Sequence, residues 1–172
     1  MAGEVKVWPL RIAVALVVAA LAFAGWAGWT WWQAGHDDSL GYAQARDEAL
    51  AAGRSHVALL TTLDSSDVDA GIARWLAVST GPLRDELSAT DPKTRQTLHD
   101  GGTVATGHVL DAAVSELDLR GGTAKLLVSV EIATSVRGGE PASKRNRFVA
   151  GLTHTDRGWL LSALDQVPLG TE

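Results

Sequence analysis

Among 172 residues there is no cysteine, which excludes a disulfide framework, a thiol nucleophile and a thiolate metal site. That absence favours no compartment. The five histidines never stand at the H-x-H or H-x₃-H spacing of a metal pair, and no G-x-S-x-G elbow occurs. Charge is missing altogether from Ile12 to Trp32, "IAVALVVAALAFAGWAGWTWW". Phenylalanine and tyrosine are nearly missing too, with two and one, against seven tryptophans. At 46% hydrophobic and 20% charged, the chain is too apolar for a disordered class and has room for one domain plus an appendage.

The uncharged run is the appendage. Its 21 residues make a helix roughly 32 Å long, enough to cross a bilayer core of about 30 Å. Trp26, Trp29, Trp31 and Trp32 gather at its far end, with Trp8 alone on the near side. Indole combines an apolar body with one N–H donor and prefers the headgroup level, so these tryptophans read as an interfacial belt. A competing reading is a signal peptide, because Lys6 and Arg11 form a basic start and Ala22-Phe23-Ala24 has the A-x-A form. Against it, the apolar run continues eight residues past that site, so an uncleaved anchor is expected over 12–32.

Lys6 and Arg11 precede the span, whereas Asp37 and Asp38 follow it. The positive-inside tendency then places 1–11 in the cytoplasm and 33–172 outside the cell membrane. Only Lys6, Arg11 and Glu4 of the charged residues precede Trp32, so the outer part carries a formal charge of −6. An acidic surface argues against a nucleic-acid partner. Ala24, Gly25 and Gly28 form a small-residue patch that would admit a neighbouring helix, and a homo-oligomer is compatible with the sequence.

The outer part divides at Asp100-Gly101-Gly102. Helices are expected over about 38–100. In the first, Ala43, Leu50, Gly53, Val57 and Leu60 share one stripe, with Asp37, Asp38 or Ser39 as cap. A second opens at Ser66 or Asp67, carries Val68, Ile72, Trp75 and Leu76 inward, and stops at Thr80-Gly81. Pro82 suits the first turn of a short third helix, and Asp91-Pro92 repeats the signal before "KTRQTLHD". Strands follow over about 103–167. Leu126, Val128, Val130 and Ile132 alternate with Lys125, Ser129 and Glu131. Arg120-Gly121-Gly122, Arg137-Gly138-Gly139 and Asp156-Arg157-Gly158 mark turns between four successive strands, so neighbours are antiparallel. The expected class is α+β, about three helices packed on a curled four-stranded sheet.

Candidate chemistry is thin. Gly102 to Gly107 has the spacing of a phosphate loop, but His108 and Val109 stand where lysine and a hydroxyl are needed, and the segment enters a strand. His108 and Asp111 are three apart and, on a regular strand, point to opposite faces unless a bulge intervenes. His154 and Asp156 share parity, yet Asp156 reads as the Asx-type initiator of its turn. Trp75 and Trp159 read as core residues joining helix to sheet, with an apolar pocket as the alternative. Lys144 to Arg147 is a basic cluster at a strand entry. No catalytic, cofactor-binding or metal-binding residue is assigned, and no cofactor is expected.

The order of parts carries a resemblance. After the span come the Ala/Arg-rich helix "YAQARDEALAAGRSHVALLTTLD", a helix ending in Thr80-Gly81, a short helix, and four strands, the last opening with Gly158-Trp159-Leu160 and closing in "SALDQV". This layout is similar to the actinobacterial Mce-associated membrane proteins, whose outer domain resembles the NTF2-like and VirB8-like cone fold. The resemblance implies a non-enzymatic accessory or scaffold beside the Mce-type lipid-import machinery of the cell envelope. Two alternatives stand beside it. One is an NTF2-like binder or enzyme with a cavity of a few hundred Å³ inside the cone, which filling by Leu126, Val128, Val130, Trp75 and Trp159 would exclude. The other is a VirB8-like component of a conjugation or secretion channel.

Overall fold

The computed structural model describes residues 17, 20–31, 38–136 and 139–167. The chain divides into two compact units, Met1–Ala43 and Gln44–Glu172. In the first, residues 20–31 are helical, with Phe23, Trp26, Trp29 and Trp31 exposed. Phe23 and Trp26 meet edge to face at 6.3 Å. Part of the predicted span 12–32 lies outside the described residues, as does Trp8. Among the described residues, no helix is long and apolar enough to cross a membrane.

Helix α1 (Asp38–Leu60) presents Ala49, Gly53 and Val57, all buried and four residues apart, to the sheet. The stripe is therefore shifted from the expected one. Leu50 and Leu60 flank it half-buried, and Ala49, absent from the expected stripe, is part of it; Ala43 is half-buried. Gly53 is required by closeness: a Cβ there would lie 2.3 Å from Leu126 Cδ2. The end of α1 leaves carbonyls without helical partners. The Thr61 and Thr62 hydroxyls take Val57 O and Ala58 O at 2.8 Å, and Trp75 Nε1 donates to both Leu59 O and Thr62 O at 3.1 Å.

The chain then makes a short strand absent from the sequence expectation, β1 (Leu63–Asp64), and a 3₁₀ turn, Ser65–Asp67. Asp64 accepts from Ser66 N at 2.8 Å and Ser66 Oγ at 2.7 Å, bonds that hold its carboxyl below the usual carboxylate range. Helix α2 (Val68–Val78) buries Val68 and Ile72, as its spacing predicts. Helix α3 (Gly81–Ser88) carries Pro82 in its first turn, and α4 (Pro92–Asp100) is capped by Asp91 accepting from Thr94 N at 2.8 Å. The expected three or so helices are four among the described residues of this unit.

The sheet is a five-stranded antiparallel meander in the order β1 to β5, not four-stranded. Its long members are β2 (Thr103–Asp118), β3 (Thr123–Val136), β4 (Ala142–Thr155) and β5 (Gly158–Gln166). Two residues are too few to show a period, so the sequence pattern does not mark the extra strand. It pairs Leu63 with Ala105 and Asp64 with Val104, covering only the start of the β2 edge. At the other edge, Ser79 bridges Leu161, with Thr80 N donating to Leu161 O at 2.7 Å. The predicted turns at Arg120–Gly122 and Asp156–Gly158 are present, with Gly122 at φ 60° and Gly158 at φ 90°, where a side chain is strained. The Arg137-Gly138 part of the third turn lies outside the described residues.

One face of the sheet makes the core. Leu126, Val128, Val130, Ala150, Leu152, Leu161 and Trp159 pack with Ala49 and Val57 of α1. The alternation read for β3 is therefore the observed one, with Lys125, Leu127, Ser129 and Glu131 on the opposite face.

Candidate interaction surface

The residues singled out for chemistry do not converge. Gly107 sits in strand β2 because a Cβ there would come within 1.8 Å of Thr61 Oγ1, and its N–H donates to the Thr62 hydroxyl at 3.0 Å. The glycine spacing that mimics a phosphate loop is thus a packing requirement between β2 and the end of α1.

His108 and Asp111 differ from expectation. The register of β2 against β3 slips between Val109 and Asp111, leaving Leu110 as an extra residue. This bulge returns Asp111 to the face of His108, since His108 pairs with Glu131 and Asp111 with Ser129. Both side chains are exposed, and no hydrogen bond joins them among the described residues. A second bulge at Ser115 re-aims Glu116 in the same way. Each bulge shifts the apolar alternation by one, from Val109 to Ala112 and from Val114 to Leu117, and that phase change is the signal the sequence carries.

At the far end of β4, His154 and Trp159 pack edge to face, with ring centroids 5.0 Å apart. They line a cleft of about 230 Å³ with Glu48 and Leu119. Trp159 is 6% exposed, and its Nε1 is buried without a partner among the described residues. Asp156 does not initiate the following turn. The Thr155 hydroxyl does so, donating to Gly158 O at 2.9 Å and accepting from Arg157 N at 3.2 Å. Trp159 is the core tryptophan expected, whereas Trp75 caps α1 instead of joining helix to sheet. His56, on α1, is half-buried with Nδ1 unpartnered among the described residues; burial lowers its pKa from the ordinary histidine value. No cluster of three His, Asp or Glu side chains placed to hold a metal occurs among the described residues.

The exposed face of the sheet is the most organised surface. Register places Ala113, Leu127 and Val149 side by side across β2, β3 and β4, with Asp165 of β5 next in line. Leu127 is 52% exposed. One row away stand Asp111, Ser129 and Arg147; on the other side stand Glu116, Lys125 and Gly151. Lys125 Nζ lies 2.9 Å from Glu116, and Arg145 Nε lies 3.8 Å from Glu131. Lys144 to Arg147 is therefore not a strand entry but the interior of β4, with Asn146 turned into the core and bonded to Gln166 at 3.1 Å. Two open depressions score this face. One, of about 400 Å³, lies over Asp111, Leu127 and Arg147; the other, of about 530 Å³, lies over Glu116, Lys125 and Ala163.

Comparison with known proteins gives a family and a fold. The family model described as "Uncharacterized protein Rv1363c/MT1408-like" matches residues 9–168. None of the curated proteins matches by sequence. Among solved structures, an IcmL-like type IV secretion system protein from Legionella pneumophila subsp. pneumophila superposes with a TM-score of 0.59 at 10% identity, over 74% of this chain and 95% of that one. CagV, a VirB8 homolog from Helicobacter pylori, gives 0.54 at 7% identity, over 72% and 99%. VirB8 of Agrobacterium tumefaciens gives 0.51 at 12%, over 74% and 96%. At such identities the likeness is one of fold: the part beyond the N-terminal segment is an α+β domain of the VirB8-like kind.

Proposed function

The chain belongs to the Rv1363c/MT1408-like family, and we propose that it is a non-catalytic assembly module, membrane-anchored through 12–32, of a cell-envelope transport complex. The observation that carries this reading is where the structure spends its side chains. Leu126, Val128, Val130 and Trp159 fill the space between sheet and α1, while charged and apolar groups are set out in register on the exposed face. A surface so built suits recognition of another protein better than turnover of a small molecule. The fold shared with proteins of type IV secretion systems supports the same class of role. The exposed tryptophans and phenylalanine of residues 20–31 support the anchor, because such a helix face is stable against lipid.

For the partner, the layout of span, helices and strands favours the Mce-type lipid-import machinery, with the domain outside the membrane. A VirB8-like place in a secretion or conjugation channel is the second reading, favoured by the structural neighbours. Purification of the full chain from native membranes in mild detergent, followed by mass spectrometry, separates them. Mce-type components in stoichiometric amount support the first reading, and channel components support the second. Intact protein carrying neither overturns both.

A further inference from the structure

We infer that the exposed sheet face is a self-complementary surface that receives a second copy of this chain. Asp111, Ser129 and Arg147 lie in one row on β2, β3 and β4, and Ala113, Leu127 and Val149 in the next. A two-fold axis laid along β3 exchanges β2 with β4. Asp111 of one copy then stands over Arg147 of the second copy, and the pair occurs twice. Leu127 meets Leu127 on the axis, and Ala113 meets Val149. Sheets packed face to face keep their strands within about 30° of one another, so neighbouring rows stay opposed near the axis.

The charges favour this arrangement. Lys125 and Glu131 would each meet their own copy near the axis, but each already has a partner within its chain, Glu116 at 2.9 Å and Arg145 at 3.8 Å. Asp111 and Arg147 are the charged pair of these rows with no ion pair of their own among the described residues, and the two-fold gives each a counter-ion. Leu127, half-exposed between them, gains burial that nothing among the described residues of the single chain provides. The patch spans three strands, which is small for a permanent interface, so the association is concentration-dependent. This inference does not rest on which transport complex holds the chain, and its test reads self-association alone.

The absence of cysteine makes the test clean. Full-length Leu127→Cys carries a single thiol, as does a control at the exposed Ser88 of α3. Purified in mild detergent, Leu127→Cys is expected to give a covalent dimer with a short bis-maleimide while Ser88→Cys does not. In sedimentation equilibrium, Asp111→Arg and Arg147→Asp each weaken dimerisation about tenfold or more, through like charges brought together. The double swap Asp111→Arg with Arg147→Asp restores it, which distinguishes this face from helix association through Ala24 and Gly28. A chain that is monomeric at all concentrations, equal cross-linking at both thiols, or a swap that fails to restore association overturns the inference. A face that serves a different protein instead produces the first of those results.

Discussion

Gly53 offers the sharpest test of how α1 meets the sheet. Inside a helix, glycine to alanine ordinarily stabilises by about 0.8–1 kcal/mol, because the backbone loses less freedom on folding. At Gly53 the new methyl would lie 2.3 Å from Leu126 Cδ2, well inside contact distance, and 3.6 Å from Leu152 Cδ1. Leu126 is fully buried among Val128, Ala150 and Leu152, so its displaced methyl has no free space to enter. Overpacking of this kind costs about 1–3 kcal/mol. The propensity gain offsets part of that, leaving Gly53→Ala destabilised by up to about 2 kcal/mol, or as much as roughly 8 °C in melting temperature for a domain of this size. Gly41, on the same helix, has nothing within 4 Å of an added Cβ, so Gly41→Ala shows the propensity gain alone. Thermal melts of the full chain followed by circular dichroism compare the two. The double variant Gly53→Ala with Leu126→Ala completes a cycle: removing the isobutyl group makes room, so the pair is less destabilised than the sum of the singles by about 1 kcal/mol. A Gly53→Ala that melts above wild type, like Gly41→Ala, refutes the close approach.

Other consequences follow from single contacts. Trp75→Phe replaces the indole with a smaller phenyl and removes the donor to Leu59 O and Thr62 O, and equilibrium urea unfolding should show a loss of at least about 1–2 kcal/mol. Asp91→Ala removes the cap of α4 and should cost about 1 kcal/mol, with amide exchange quickening first at Thr94. His56 has a folded pKa below its unfolded value, so the unfolded chain binds the proton more readily. Its contribution is therefore present above pH 6.5 and falls away as pH drops through and below that value. Wild type should lose more stability than His56→Gln between pH 7 and pH 5, and parallel curves would reject the burial argument.

Much of the fold is legible in the chain because it is written in local chemistry. The helix starts at Asp91-Pro92 and Gly81-Pro82 are visible in single dipeptides, since a carboxylate cap and a fixed proline φ act within one turn. The four long strands and their glycine turns follow from a period of two and from positive φ at Gly122 and Gly158. What the tertiary structure alone decided depends on contacts between distant segments. Trp75 reads as a core residue until the end of α1 arrives to accept its N–H. Gly107 reads as an ordinary strand residue until Thr61 is beside it. The bulge at Leu110 turns Asp111 to the exposed face; the apolar alternation changes phase between Val109 and Ala112, but pairing with β3 decides which residue is the extra one. The row that brings Asp111, Ser129 and Arg147 level joins residues from three strands; register across a sheet belongs to the assembled backbone and to no local stretch of it.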